Sequence, residues 1–439
     1  MRNDNFHVGD GICSGCGVCA AECPKKAIEM RETKTGHYKS WVDEELCIRC
    51  KKCVNVCAFS VSNIFTRRLE ENQYSHIDGM RYSAECGFYL DSCVGFSEKY
   101  TQSSASGGLA TWFLEAALQS GEVDAVVCAG SCENPDRLFD YRIITDPEEL
   151  RRCSGSVYYP VEISGVLREI RASAEKVAVI ALPCVITSIR NACKHDSKLK
   201  QNIKICAGLV CGYLAGKRMT HLVALFHGYS PEQIRAVRFR KKVDAGVNGN
   251  VQIIYTDGQQ RIDDWNDPDS MLSLTFPYKI FTQFSCDCCD DIFARNADIV
   301  FMDTCGLPGY ADLTFIQGLM SAVLVRSETA EKILRGSERD LRLFPFPVSE
   351  VAKTQRGRIL QKHLRLTDRI LRFQKQDLID ERIVPPFEHN PLTPAEARSE
   401  EVIARMRTEI DEFFNRESKI KEDLDCLVVR LRGLRAKLE

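Results

Sequence analysis

Residues 13–24, CSGCGVCAAECP, and residues 47–57, CIRCKKCVNVC, decide the character of the N-terminal part of this chain. Both runs have the spacing C-x2-C-x2-C-x3-C. In such a run three thiolates bind one 4Fe-4S cluster and the fourth reaches a second cluster. We therefore expect two clusters, one bound by Cys13, Cys16, Cys19 and Cys57, and the other by Cys47, Cys50, Cys53 and Cys23.

A pair of zinc knuckles is the alternative interpretation of the same cysteines. Tetrahedral zinc sites use two spaced pairs, which leaves the third cysteine of each run without a role. Gly15 and Gly17 lie between ligands, where the backbone must turn close to the inorganic sulfurs. The pattern resembles a bacterial two-cluster ferredoxin over roughly residues 5–66, and we place this domain at residues 1–66.

Composition describes an ordinary globular protein. The chain has 439 residues, 44% of them hydrophobic and 27% charged, with a formal net charge of -2. No global charge attracts nucleic acid or an anionic membrane, and no apolar run has the roughly 20 residues that span a bilayer. The N-terminus has no apolar signal segment. We expect a cytoplasmic protein whose 22 cysteines serve as metal or redox ligands.

After a polar linker at residues 67–92, the chain predicts an α/β domain over residues 93–384. Amphipathic helical stretches separate the earlier members of a series of β-branched apolar runs, which indicates a mostly parallel sheet covered on both faces. Ligands bind beyond the carboxyl ends of such strands, and most of the runs end near a cysteine. The runs are residues 123–130, 176–184, 203–211, 297–306 and 321–327.

Distant cysteines of this domain supply thiolates for a third metal site. The pair Cys286 and Cys289 has the two-residue spacing that lets both side chains reach one site. Pro183 stiffens the approach of Cys184, and Cys211 follows another strand. A 4Fe-4S cluster and a zinc ion remain open for the set Cys184, Cys211, Cys286 and Cys289.

A Ser/Gly-rich turn, SSASGG at residues 103–108, opens directly into a predicted amphipathic helix. Small residues let backbone N–H groups face an anion at the positive end of a helix, as a cofactor pyrophosphate requires. The simpler interpretation is that Ser104 or Ser106 caps the helix.

Several segments follow one another along the chain: the ferredoxin domain, SSASGGLAT, CSGSVYY, ALPC, GLVCG, CDCCDD and ADIVFMDTCG. Over about residues 5–330, this order resembles the family of beta subunits of coenzyme F-420 hydrogenases and dehydrogenases. The resemblance implies an FAD in the α/β domain and an iron-sulfur centre beside it. It also implies hydride exchange with an organic redox partner. Residue by residue, it implies flavin contacts at Ser106, Gly107, Gly108, Thr111, Ser156, Tyr158 and Asp303, and cluster ligands at Cys184, Cys211, Cys286 and Cys289.

One departure from the family pattern concerns the usual G-[ST]-P-C-Q, which reads Ala181-Leu182-Pro183-Cys184-Val185 in this chain. Val185 stands at the position of that glutamine, so we do not expect the polar contact that the glutamine makes in other members of the family. The expected function is electron transfer between ferredoxin-type clusters and a small-molecule redox substrate through FAD, with the deazaflavin F-420 as one candidate substrate. The alternatives are an electron-transfer subunit, which passes electrons to a partner protein, and an iron-sulfur scaffold.

Residues 235–264 predict an antiparallel hairpin with a tight turn at Asp257-Gly258. The basic stretch at residues 355–375 fits two interpretations. It is either the docking site of an acidic electron carrier or anionic substrate, or a solvated amphipathic face.

A Pro-rich linker at residues 385–394 precedes a predicted coiled-coil helix at residues 395–439. Apolar residues recur there at intervals of three and four, which favours a homodimer or a partner helix, although a helix packed on its own body fits as well. The seam comprises Ile403, Met406, Ile410, Phe413, Glu417, Ile420, Leu424, Leu427, Leu431, Leu434 and Leu438.

Overall fold

The structure is a computed structural model that describes residues 12–132, 137–242, 250–304, 320–336, 340–416 and 421–438. Cys305, Glu417 and Ile420 lie outside the described residues. Among those described, no helix is both long and apolar enough to cross a bilayer.

The N-terminal part pairs two short helices with a β-hairpin. Its elements are α1 (Val18–Glu22), β1 (Ile28–Glu32), β2 (Tyr38–Val42) and α2 (Lys52–Val56). Strands β1 and β2 are antiparallel, as expected for the segment between the cysteine runs. Gly17 precedes α1 with a φ of 83°, and a Cβ there would lie 2.3 Å from the Glu162 carboxylate. The glycine therefore permits both the turn and close packing on the next domain.

The segment predicted as a linker at residues 67–92 has its own structure. It contains α3 (Arg68–Tyr74), β3 (Arg81–Ser83) and β4 (Gly87–Tyr89). The fully buried Arg326 donates to the carbonyls of Cys86 at 2.9 Å and Phe88 at 2.7 Å, which ties this segment to the following domain. The segment placed between the two domains thus carries secondary structure, and a long-range arginine that no local pattern shows binds part of its backbone.

Strands and helices then alternate through the α/β region. The elements up to its antiparallel subsheet are β5 (Asp91–Ser97), α4 (Leu109–Gln119), β6 (Ala125–Ser131), β7 (Phe139–Ile144), α5 (Pro147–Arg152), α6 (Ser164–Ala172), β8 (Val177–Ala181), α7 (Pro183–His195), α8 (Ser197–Asn202), β9 (Ile203–Leu209), α9 (Lys217–Phe226), a 3-10 turn (Pro231–Gln233), β10 (Ile234–Lys241), β11 (Asn250–Tyr255) and β12 (Gln260–Asp263).

The chain then completes the large sheet and ends in helices. These elements are α10 (Met271–Thr275), α11 (Phe284–Asp287), β13 (Ile299–Asp303), β14 (Ser321–Val325), α12 (Glu328–Gly336), β15 (Leu341–Pro345), α13 (Val348–Thr354), α14 (Arg356–Ile359), a π turn (Leu360–Leu364), α15 (Leu366–Lys375), α16 (Pro394–Asn415) and α17 (Lys421–Arg435).

The large sheet has the strand order β15-β5-β14-β13-β9-β8-β6-β7. Its centre, β6, β8, β9 and β13, is parallel, as predicted. The other neighbours pair antiparallel, including β14, the last of the five predicted strands. The sheet is thus mixed, with antiparallel strands at both edges of a parallel centre.

Alternate side chains of the central strands face two different hydrophobic layers. On β6, Ala125 and Val127 pack with α6, α7 and α1, whereas Val126 and Cys128 pack with α4 and α12. Helix α1 of the N-terminal domain therefore shares a core with the large sheet. A second sheet, β10-β11-β12, confirms the predicted antiparallel region, with Gly258 in the turn at a φ of 82°.

The C-terminal region forms two helices that pack on the body of the same chain. Helix α16 ends at Asn415, where Arg416 has extended backbone angles, and α17 begins at Lys421. The apolar seam positions join a hydrophobic cluster with β10, β11 and α9. The predicted single coiled-coil helix is therefore corrected to a helix pair, and the seam expected to form a homodimer is already covered within one chain. The buried positions are Met406, Ile410, Phe413, Leu424, Leu427, Leu431 and Leu434.

This packing predicts that Leu431→Ala lowers stability without changing the oligomeric state. Leu431 is fully buried, and removing such a side chain costs about 2–5 kcal/mol. Val429 is 67% exposed on the same helix, so Val429→Ala is the matched control with little effect. Thermal melting and light scattering on both variants provide the measurement. A dimer that dissociates in Leu431→Ala with an unchanged melting temperature would contradict the intrachain packing.

Candidate functional site

The first four predicted cluster thiols surround one small cavity beside α1. Cys13, Cys16, Cys19 and Cys57 all line it, together with Ser40 and Ser188. The backbone N–H of Gly15 donates to the Cys13 sulfur at 3.4 Å. Cys57 arrives from the end of α2, so the fourth thiol comes from the second run, as the spacing predicts.

The other four thiols line a second cavity beside the hairpin. Cys23, at the end of α1, meets Cys47, Cys50 and Cys53 there. The N–H of Ala27 donates to the Cys23 sulfur at 3.2 Å. Cys50 is exposed, so this site is the one of the pair that faces solvent.

Electrostatics in the first set favours binding of a cation by the thiolates. Burial raises the pKa of the Cys19 thiol well above its usual value, and repulsion from other thiols adds to this effect. Clustered thiols with raised pKa values lose protons only when a metal accepts them as thiolates. The neighbours that raise the pKa of Cys19 are Cys16, Cys13, Cys57 and Cys53.

The third predicted set is also assembled, at the carboxyl ends of the parallel strands. Cys184 lies in the first turn of α7 after β8, and Cys211 follows β9. The N–H of Leu214 donates to the Cys286 sulfur at 3.4 Å. Burial raises the pKa of the Cys184 thiol, and further increments come from Cys289, Cys16, Cys211 and Cys286.

Lys362 is a cation of this third set that the sequence interpretation missed. Its ammonium donates to the Cys289 sulfur at 3.3 Å and to the Asp291 carbonyl at 3.1 Å. Burial opposes the charge, yet the thiolates of Cys289, Cys211 and Cys286 raise the pKa of Lys362. Lys362 lies in the basic stretch that also fitted a solvated face, and its burial in the π turn could not be read from charge pattern alone.

An apolar cavity of about 130 Å³ lies between the first and third thiol sets. Cys16 and Cys184 both line it, and so do Thr111 of α4 and Leu182 after β8. Its volume is about ten times the space that one water molecule needs. Strands β6, β8 and β9 end at this cavity, which is where ligands of parallel sheets bind.

The Ser/Gly-rich loop lies at the start of α4, on the side of this cavity. Gly108 is the N-cap of α4 with a φ of 77°, and no side chain of the described residues caps the helix. Ser104 instead shares a 2.6 Å hydrogen bond with Ser154, and Ser106 donates to the Met320 carbonyl. The capping interpretation is therefore wrong, and the N–H groups of the first turn are left without a capping serine.

Two basic residues at the end of β10, Arg240 in the strand and Lys242 directly after it, hold Asp303 and this loop. The Lys242 ammonium donates to the Thr101 carbonyl and, at 2.9 Å, to the Ser106 carbonyl. Burial and nearby Arg240 lower the pKa of Lys242 to about 8. Arg240 forms a 2.5 Å ion pair with Asp303 at the end of β13. Sequence reasoning missed both cations because they come from the distant hairpin.

Of the remaining predicted flavin contacts, Thr111 lies at the apolar cavity, whereas Ser156 and Tyr158 lie behind its wall. Thr111 lines the apolar cavity and donates to Ser154 at 3.3 Å. Tyr158 packs its ring on Phe239 and Phe276, away from the cavity wall, where its neighbours Val157 and Tyr159 lie. Ser156 forms an isolated β-bridge with Phe239. The loop, Thr111 and Asp303 thus form one neighbourhood, and Ser156 and Tyr158 support its wall.

Among the described residues, no three His, Cys, Asp or Glu side chains stand close enough to hold a single metal ion. A cuboidal cluster binds each thiolate at a different iron. The two N-terminal thiol sets surround cavities, which is the arrangement that a cluster with separate iron corners requires.

Comparison with known families matches three successive parts of the chain. A 4Fe-4S dicluster domain model matches residues 12–61. The N-terminal and C-terminal models of the coenzyme F420 hydrogenase/dehydrogenase beta subunit match residues 94–168 and 174–344. Together these matches span the eight N-terminal cysteines, the Ser/Gly-rich loop and the third thiol set.

Two curated relatives come from methanogens. The chain is 25% identical to the coenzyme F420-dependent sulfite reductase of Methanocaldococcus jannaschii over 351 residues, 76% of this chain and 47% of the relative. It is 24% identical to a subunit of the F(420)H(2) dehydrogenase of Methanosarcina mazei over 207 residues, 46% of this chain and 53% of the relative. The chain thus spans about half the length of the curated relatives it matches.

Among solved structures, a chain of the F420-reducing [NiFe] hydrogenase complex of Methanosarcina barkeri has the same fold. The TM-score is 0.52 at 17% identity, over 70% of this chain and 99% of that one. With the two beta-subunit models covering more than half of the sequence, the chain belongs to the family of coenzyme F420 hydrogenase/dehydrogenase beta subunits and carries an N-terminal 4Fe-4S dicluster domain.

Proposed function

We propose that this protein is an iron-sulfur flavoprotein oxidoreductase that transfers electrons between an organic hydride donor or acceptor and 4Fe-4S clusters. The observation that carries the proposal is the apolar cavity whose wall contains both Cys16 and Cys184. A redox group in this cavity lies beside a thiol of the first set and a thiol of the third. Electrons therefore have a short route from the cavity to either set.

We assign three clusters to the three thiol sets. The dicluster match supports two of them, and the shared burial and mutual repulsion of the other thiols support the third. Lys362 offsets part of the negative charge that four thiolates bring to the third set. The ligands are Cys13, Cys16, Cys19 and Cys57; Cys23, Cys47, Cys50 and Cys53; and Cys184, Cys211, Cys286 and Cys289.

We propose FAD as the redox group, with its pyrophosphate at the Ser/Gly-rich loop and part of its ring system at the apolar cavity. A flavin exchanges two electrons as hydride and passes them on singly, which matches one-electron clusters. The uncapped first turn of α4 offers N–H donors to the pyrophosphate, with Ser106, Gly107, Gly108 and Thr111 beside it. The Arg240–Asp303 pair and Lys242 fix the loop, and the apolar wall excludes water from the ring.

The organic partner is proposed as a deazaflavin coenzyme or another small hydride carrier. Both curated relatives have F420 in their names, which supports the first choice. Sulfite reduction belongs to the name of one relative, of which this chain covers 47%.

A second candidate function is that of an electron-transfer subunit. The exposed Cys50 thiol supports it, because a cluster there meets the surface. Trp41 and Ile48 nearby in the same domain are 57% and 56% exposed, as expected for a contact with a redox protein. Both functions share the internal route and differ in whether the organic substrate binds in this chain.

Removing two ligands of the third set tests its identity. Cys286→Ser with Cys289→Ser should lower the iron content of anaerobically purified protein by about four per chain and leave the N-terminal clusters intact. Cys426→Ser, at an exposed cysteine of α17, is the control and should keep all iron. Iron and zinc analysis provide the measurement, and loss of zinc at constant iron would contradict the cluster assignment.

Gly108 offers a test of flavin binding. A Cβ there would lie 2.7 Å from Tyr100 Cβ, so Gly108→Ala should displace the loop and reduce noncovalent FAD at least several-fold. Gly121→Ala is the matched control, because Gly121 ends the same helix with a φ of 70° but has open space around it. Extracted flavin is measured against iron content. Equal FAD in both variants would contradict pyrophosphate binding at this loop.

A further inference from the structure

A second and larger cavity, of about 440 Å³, lies on the other side of the third thiol set. Cys286 contributes to its wall, and the π turn, α15 and α16 cover it. These covering elements follow residue 344, where the match to the family model ends. The cavity is therefore a feature of the C-terminal region of this chain, distinct from the apolar cavity proposed for FAD.

The wall of this cavity has an excess of positive charge. Six basic and three acidic side chains line it. Each carboxylate is already paired with an arginine, which leaves Lys279, Lys362 and Arg369. The pairs are Arg365 with Glu396, Arg372 with Glu400, and Arg407 with Asp287.

In the described ranges, none of these three cations has an ion pair with a carboxylate. Lys362 faces the sulfur of Cys289 and belongs to the thiol set. Arg369 donates to the carbonyls of Asp287 at 3.1 Å and Gln361 at 2.6 Å, which are neutral acceptors. Within the described part of the chain, the Lys279 ammonium has neither a hydrogen bond nor an ion pair. It lies 5.8 Å from the centre of the Tyr213 ring, and the charges of Asp287 and Cys286 act on it from a greater distance than an ion pair.

The backbone holds Lys279 in this position. Its φ of 53° lies in the left-handed region that non-glycine residues seldom adopt, and its carbonyl accepts from Arg407 at 3.1 Å. Burial and the charges of Lys362 and Arg369 lower the pKa of Lys279 to about 7. Crowded, partly desolvated cations destabilise the fold unless an anion joins them.

An independent observation points into the same space. Thr282 lines the cavity, and its buried hydroxyl has no hydrogen-bond partner among the described residues. Buried hydroxyls are nearly always paired. A ligand oxygen in the cavity would accept from Thr282 and from the two cations.

We propose that this cavity binds a small organic anion through a carboxylate or phosphoryl group, with Lys279, Arg369 and Thr282 as its contacts. The volume is in the range of small-molecule sites, roughly 300–1,000 Å³. The surface of an acidic electron carrier would not reach partly buried Lys279, so a small molecule fits better than a protein. The bound charge lies beside Cys286 and makes the third cluster harder to reduce.

Anaerobic calorimetry on the full-length holoprotein tests this site with citrate and inorganic pyrophosphate, and with glycerol as a neutral comparison. At least one anion should bind saturably at one site per chain. Lys279→Met should weaken binding about tenfold or more, since a charge-assisted hydrogen bond is lost. Lys375→Met, at an exposed lysine of α15 outside the cavity, should bind as the unchanged protein does.

Thr282→Val removes the hydroxyl at nearly constant shape and should weaken binding a few-fold without affecting charge. The proposal is overturned if the unchanged protein binds neither anion. It is also overturned if Lys279→Met and Thr282→Val bind the anion as tightly as the unchanged protein does. If the unchanged protein binds no anion and Lys279→Met loses iron, the cations serve the third cluster alone.

The same samples separate this inference from the proposed function. Protein that lacks FAD but binds the anion keeps the site and removes the flavin assignment. Protein that carries FAD and full iron but binds no anion keeps the flavin assignment and removes the anion site. Flavin and iron contents are therefore measured on each sample.

Discussion

The packing of the dicluster domain on the large sheet is the constraint on which the rest of the structure depends. Helix α1 shares its hydrophobic core with α6 and α7, and the Cys16 carbonyl accepts from Ile163 N–H at 3.0 Å. Arg171 donates to the Ala21 carbonyl at 2.8 Å and pairs with the Glu22 carboxylate. Because these contacts fix α1, the thiol of Cys16 lies in the wall of the same cavity as Cys184.

Charge compensation organises the space around the thiols. Twelve thiolates in three sets would repel one another in a protein interior, and bound metal offsets most of that charge. The protein adds Lys362 at the third set and keeps the cavity between the first and third sets apolar. The surplus cations lie behind the third set, where Lys279 and Arg369 face the larger cavity.

The spacing of the cysteines along the chain predicted how the N-terminal thiols are grouped, because that grouping depends on nearby residues. The exchange of Cys23 and Cys57 between the two N-terminal sets follows from the two cysteine runs and is seen in the cavity linings. The parallel strands were recognised from their continuous apolar character. Their order and the antiparallel edges at β5, β7 and β15 were not, because strand pairing depends on contacts between distant parts of the chain.

The errors have the same physical origin. The heptad seam from Met406 to Leu434 has the period of a coiled coil, but the same period serves a helix pair packed on its own chain. Arg326 fixes the supposed linker from over two hundred residues away, and Arg240 and Lys242 reach the Ser/Gly-rich loop from the hairpin. No local pattern contains such contacts.

We propose that one flavin-binding cavity lies between two iron-sulfur clusters, at Cys16 and at Cys184. An anomalous diffraction map at the iron absorption edge, from crystals grown without oxygen, tests it most directly. We expect three iron peaks per chain, two of them on opposite sides of flat tricyclic density in the apolar cavity. Two iron peaks with zinc at the third thiol set, or density for the flavin elsewhere, would contradict it.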